Sequence, residues 1–194
     1  MENHLKVEKK KLGFFGGTFD PIHFGHLNLA LSLGEKKGLD QIFFSPAYLS
    51  PGKQTDQPIA SGKTRKEMVE LALEGVPNCS CLDWELSSEG PSYTIEVVRY
   101  LVASYPEDSI YLILGEDALH GLSEWKEVDE LLTLATPLIG GRPGNDTKLK
   151  GKKEEIPIME ISSTQIRQRM AEKKYCGHLV PTKVLDYIHT NRLY

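Results

Sequence analysis

The chain is expected to fold as an α/β protein with a doubly wound, mainly parallel sheet covered by helices on both faces. Three observations predict this. Short apolar runs alternate with helical patterns along the chain, a glycine-rich turn separates the first apolar run from the first helical one, and no internal repeat interrupts the order. With 194 residues, 40% of them hydrophobic, the chain can bury one sizeable core and is short for two. One domain over residues 1–194 is therefore expected, with 1–10 as an N-terminal extension.

The elements follow in order. KLGFFG reads as a strand, HLNLALSLGEKKG as a helix, QIFFSP as the next strand and KTRKEMVELALEG as the next helix. CSCLDWEL and its turn lead to the helical YTIEVVRYLVASY, then to the strand SIYLILG and the helical EVDELLTLA. PLIGG and IPIME look like two further strands. STQIRQRMAEKK and PTKVLDYIHTN close the chain as helices, the second opened by Pro181 near its first turn. Repeated strand, helix, strand units of this kind make a Rossmann-like sheet. Between them, Ala47 to Gly62 reads as a long loop whose length suggests function, and GRPGNDTKLKGKKEE as a solvated one.

Composition excludes several classes. A net charge of −4 with acidic and basic residues interspersed gives no field for tracking a nucleic-acid backbone or an anionic membrane, so neither partner is expected. The lysines at 9–11 and 148–153 read as solvated surface. MENHLKVEKKK lacks the apolar centre of a signal peptide and no apolar run reaches membrane-span length, so a cytoplasmic protein is expected. Cys79 and Cys81 share one predicted strand and Cys176 lies far away, a pattern better suited to buried thiols than to zinc.

The turn GFFGGTFDPIHFGH, from Gly13 to His26, carries the chemistry. A glycine turn between a strand and a helix favours an anion, because backbone N–H groups and the helix N-terminus both point at it. Two common phosphate loops fail. Glycines at 13, 16, 17 and 25 do not make GxGxxG, and SGKT at 61–64 has Gln57 where a P-loop needs glycine and no strand leading into it. There remain Gly16 and Gly17, which would let the backbone approach a ligand, Thr18, Phe19, Asp20, Pro21, and two histidines, His23 and His26, around Gly25 at a helix start. A tight turn with one core and one surface histidine is the plain alternative; two imidazoles in this glycine context favour a phosphate chain.

GGTFDPIHFGH (Gly16–His26) and ISSTQIR (Ile161–Arg167), in that order, resemble the two signatures of the HxGH nucleotidyltransferases, and among them the bacterial nicotinate-nucleotide adenylyltransferase family. The resemblance runs from the first strand to VPTKVLDYIHTNRLY at the C-terminus. GPSYTIEVV, LGEDALHGLSEW and TRKEMVELAL are similar to the segments that set the acceptor in that family. Three departures stand out: Gly52 where the long loop usually has histidine, with Lys53 retained; Glu116 where a small residue is usual; and Glu96-Val97-Val98 for Asp-Thr-Leu. The resemblance implies transfer of AMP from ATP to nicotinate mononucleotide, with Mg2+ held mainly by the triphosphate and no protein metal ligand. Other acceptors, nicotinamide mononucleotide or phosphopantetheine, and a nucleotide-binding sensor without turnover are the competing expectations.

On that resemblance His23, His26 and Arg167 take the phosphates of ATP, and Lys53 bridges phosphates of both substrates or is a solvated loop charge. Gly16, Gly17, Thr18 and Phe19 supply backbone or hydroxyl donors. Ser162 or Ser163 caps the helix whose first N–H groups face the phosphates. Gly115 and Asp117 serve the adenosine ribose, although Asp117 also suits a helix cap. Ser92, Tyr93 and Thr94 hold the nicotinate carboxylate, or Ser92 is only the N-cap of its helix. Trp125 faces the pyridine ring or is a half-buried core aromatic, and Arg142 approaches substrate or solvent.

Overall fold

A computed structural model describes residues 8–49, 57–87, 90–141 and 152–194. Six strands form one sheet: β1 (Lys11–Gly17), β2 (Gln41–Pro46), β3 (Cys79–Cys81), β4 (Ser109–Gly115), β5 (Ala135–Gly141) and β6 (Lys152–Glu155). Their order is β3-β2-β1-β4-β5-β6 and every neighbouring pair is parallel. The helices are α1 (Phe24–Lys37), α2 (Gly62–Leu73), α3 (Thr94–Ser104), α4 (Val128–Leu134), α5 (Ser163–Ala171) and α6 (Thr182–Thr190). Strand order reverses between β1 and β4, and in open sheets the crevice at such a reversal, outside the carboxyl ends of the strands, is where ligands bind.

Strand alternation divides the core in two. On one face Phe15, Ile42, Phe44, Ile113 and Leu138 meet α1, α2, α5 and α6; on the other Leu12, Phe14, Ile110, Leu112 and Ile139 meet α3 and α4. Helices on both faces are thus a packing necessity for strands apolar on both sides. Gly38 ends α1 in the left-handed conformation, its N–H reaching the carbonyls of Glu35 and Gly34. The P-loop lookalike at 61–64 is a helix cap: Ser61 Oγ accepts from the Thr64 N–H at 3.1 Å and opens α2.

Two expectations are corrected. IPIME is not a strand; the last strand is the charged KKEE just before it, inside the segment read as a solvated loop. Among the described residues β6 pairs only with β5, and an edge strand needs neither face continuously apolar. The strand expected to carry Cys79 and Cys81 is β3, three residues long, and a 3-10 turn over Trp84–Ser87 follows it. The segment Glu116–Glu124, without an assignment from sequence, is also 3-10 helical. Among the described residues no helix is long and apolar enough to cross a membrane.

Candidate active site

The histidines define the start of α1. His23 is its N-cap, and its Nδ1 accepts from the His26 N–H at 3.3 Å, while the His23 N–H donates to His26 Nδ1 at 3.3 Å. This is a capping box in which both members are imidazoles. Each Nδ1 is an acceptor, so each neutral ring carries its proton on Nε2 and offers it as a donor. The rings stack at 3.6 Å and 18°. Burial is the main force on His23, which is 3% exposed, and it pulls the imidazole down to about 4 against a smaller opposing pull from a backbone hydrogen bond. His23 is therefore neutral at pH 7.

Gly25 makes the stack possible. A Cβ there would stand 3.1 Å from the His23 ring and 3.2 Å from the Met159 carbonyl oxygen. Gly17 is fixed by a different neighbour: a Cβ would meet the Phe19 ring at 2.8 Å. Phe19 is 1% exposed, has a φ of 51°, and packs edge-on to Phe15 and His26. A bulky residue in the left-handed region is a backbone outlier that its packing must hold. The glycines of this turn thus seat rings as well as bare the main chain. The Asp20-Pro21 peptide that follows is cis.

Residues from the far end of the chain meet this turn. Ser163 Oγ donates to the Pro21 carbonyl at 2.9 Å, and Arg167 Nη1 donates to the Asp20 carbonyl at 2.8 Å, with the Asp20 carboxylate 3.9 Å away. Ser162, not Ser163, caps α5, accepting from the Gln165 N–H at 3.2 Å. The two N-termini, α1 and α5, are held side by side at the carboxyl end of β1. Their N–H groups, the imidazole donors and the Arg167 guanidinium suit a chain of phosphates.

Gly115 ends β4 beside Gly140 of β5, and the exposed Asp117 follows it. Asp117 is no cap: it is the second residue of a 3-10 segment that Glu116 begins and Gly115 precedes, and no side chain caps that segment. Glu116 pairs with Lys153 of β6 at 3.0 Å, and the pair packs where a Gly141 side chain would stand. Glu96 pairs with Lys126 at 2.7 Å, whereas Val97 and Val98 are fully buried.

The acceptor-side residues divide. Tyr93 is the N-cap of α3 and no side chain caps that helix, leaving its first turn, from Thr94, to other partners. Ser92 is not the cap; its Oγ accepts from the Tyr48 N–H at 2.8 Å, and it favours the charged form of the buried Glu85 carboxylate. Trp125 and Tyr93 both pack half-buried on the α3 face of the core, with Lys126 Nζ 4.3 Å from the Tyr93 ring centroid. Lys53, Gly52 and Arg142 lie outside the described residues.

Sequence patterns did not single out Arg65 and Glu85. Both are buried, and the one available signal was their charge inside otherwise apolar periodic stretches, such as TRKEMVELAL. Among the described residues no three His, Cys, Asp or Glu side chains converge as metal ligands. The donor set does not make a cage for a divalent ion.

Fold and site together define a nucleotide-binding α/β protein of the nucleotidyltransferase class. The cytidylyltransferase-like family matches residues 14–169, and the chain belongs to that family. It is 40% identical over 187 residues to the nicotinate-nucleotide adenylyltransferase of Bacillus subtilis (strain 168), covering 95% of this chain and 98% of that protein. In fold it resembles the Plasmodium falciparum nicotinic acid mononucleotide adenylyltransferase. The complex with NaAD superposes with a TM-score of 0.77 at 18% identity, covering 95% of this chain and 97% of that one. The complex with APC gives a TM-score of 0.78 over the same shares.

Proposed function

We propose that the chain transfers AMP from ATP to nicotinate mononucleotide, giving nicotinate adenine dinucleotide and pyrophosphate, the step that makes the immediate precursor of NAD. The observation that carries this is the meeting of two signatures about 140 residues apart: Ser163 on Pro21 and Arg167 on Asp20, beside the stacked histidines. The bacterial relative at 40% identity supports the choice of acceptor.

An acceptor phosphate oxygen attacks the α-phosphorus, a new P–O bond forms, and the bond to the β-phosphate oxygen breaks to release pyrophosphate. An ionised phosphate needs no general base, so the protein acts by positioning and by stabilising charge. Neutral His23 and His26 donate through Nε2–H to phosphate oxygens, His26 to the charge that grows in the transition state. Arg167, held by Asp20, and the N–H groups of Ser163 and its neighbours take the β and γ oxygens. Gly16, Gly17, Thr18 and Phe19 line the turn with main-chain donors. Gly115 and Asp117 receive the ribose, Tyr93 and Thr94 the nicotinate carboxylate at the open N-terminus of α3, and Trp125 the pyridine ring. Lys53 is assigned to both substrates' phosphates on sequence alone. Mg2+ arrives with the triphosphate as part of the substrate. The chain works as one domain, on small molecules, in the cytoplasm.

The test is pyrophosphate release from ATP and Mg2+ with nicotinate mononucleotide, nicotinamide mononucleotide or phosphopantetheine in parallel. Turnover with the first well above the others is expected. Equal or faster turnover of the amide sinks the acid preference, and no release with any acceptor favours a nucleotide sensor.

A further inference from the structure

Arg65 is the largest fully buried side chain, 1% exposed, on the first turn of α2. Its guanidinium donates to three main-chain carbonyls: Thr18 at 2.7 Å, Ala60 at 3.2 Å and Tyr48 at 3.3 Å. Thr18 belongs to the phosphate turn, whereas Tyr48 and Ala60 lie on either side of residues 50–56. Asp20, also buried, works in the opposite sense and accepts from the N–H groups of Ile59 at 2.8 Å and Ala60 at 3.2 Å, and from the Tyr194 hydroxyl. From Tyr48 the connection continues: its N–H donates to Ser92 Oγ at 2.8 Å, Ser92 favours the charged form of the buried Glu85, and Glu85 accepts from Ser45 Oγ at 2.6 Å. The Ser92 N–H donates to the Leu49 carbonyl at 2.8 Å. Asp20 and Glu85 both stabilise the Arg65 charge, which burial alone would disfavour.

An apolar core residue would serve stability at this position at lower cost, since a buried cation must be desolvated. The planar fork of arginine offers what no apolar side chain can, a fixed spacing between several carbonyls. We propose that Arg65 is a positioning residue: with Asp20, Glu85 and Ser92 it forms a buried clasp that sets the distance between the triphosphate-binding turn and the acceptor-binding start of α3. On this proposal Ser92 acts through its neighbours and does not touch the acceptor. The inference rests on the assigned transfer reaction, in which an in-line attack depends on how two separately bound substrates face each other; misplacement by about 1 Å can cost a hundredfold in rate.

The experiment compares the full chain with Arg65→Lys, which keeps the charge beside Asp20 and Glu85 but cannot span three carbonyls. Amide hydrogen exchange, ATP binding without acceptor, and steady-state turnover are measured together. Exchange at Tyr48, Ile59 and Ala60 is expected to quicken by about tenfold or more, with Phe14 and Phe44 in β1 and β2 unchanged. ATP affinity is expected to stay within about threefold while kcat falls by about a hundredfold. Unchanged exchange at those three amides, or a rate loss accounted for by lost ATP binding, overturns the proposal. If the wild type turns over no acceptor, the transfer reaction is what fails, and the exchange pattern alone then decides the clasp. Should Arg65→Lys not fold, Ser92→Ala replaces it: faster exchange at Tyr48 with Ile59 and Ala60 unchanged supports the clasp, and an unchanged Tyr48 amide overturns it.

Discussion

The stacked pair His23 and His26 caps a helix, and on the proposed function it also presents donors to an anion. Because capping occupies each Nδ1, the donor left on both rings for the proposed phosphate contacts is Nε2–H. Replacing His26 by Ala removes a donor to developing charge and is expected to lower turnover by about a hundredfold or more, read as pyrophosphate release. Near-normal turnover would remove His26 from its assigned role. His23 also links stability to pH. It is pulled down to about 4 in the folded protein from an ordinary 6.5, so between those values the unfolded chain binds more protons. Stability is then full above pH 6.5 and falls as pH drops toward 4, by up to about 3 kcal/mol from this group. Urea midpoints at neutral and mildly acidic pH measure it, and His23→Asn, which can still cap, is expected to flatten that slope. Gly25→Ala places a methyl against the His23 ring and the Met159 carbonyl. A loss of about 1–3 kcal/mol with a fall in turnover is expected, since the displaced ring is part of the grip. Wild-type activity in that variant would show that the stack is not needed.

At the scale of elements, the proposed phosphate site is two helix N-termini joined by side-chain bonds. Ser163 ties α5 to Pro21, so Ser163→Ala is expected to cost about 1 kcal/mol and to raise the KM for ATP severalfold, with the acceptor KM unchanged. An equal rise in both constants would mean that the bond merely stabilises the fold. Elements with strong periodicity were legible in the sequence. α1 and its closing glycine, β1, β2 and β4 sit where apolar spacing put them, because each buries a continuous face. β6 was not legible, since an edge strand of Lys and Glu draws its stability from main-chain pairing with β5 and leaves no hydrophobic trace. The role of Ser92 escaped for a related reason: a serine before a helix has the look of a cap, and only the fold brings Tyr48 to its hydroxyl. Arg65 and Glu85 were hidden because a charge in a helical pattern reads as solvated surface until burial is known.

Over the whole molecule, the strand order sets the ends of β1, β4 and β5 side by side, and the chain's first and last thirds meet at the end of β1. The residues read from the sequence as phosphate ligands, His23, His26, Ser162, Ser163 and Arg167, gather at the end of β1, while Tyr93 and Trp125 share the opposite face of the sheet through the α3 layer. A parallel sheet separates these groups by construction, and the Arg65 clasp runs between them. The activity proposed for the site is the transfer of an adenylyl group. Its most direct measurement follows the label from ATP carrying a labelled α-phosphate, incubated with Mg2+ and nicotinate mononucleotide. The label is expected in the dinucleotide and not in pyrophosphate; label left in ATP, or recovered in ADP, would contradict the account.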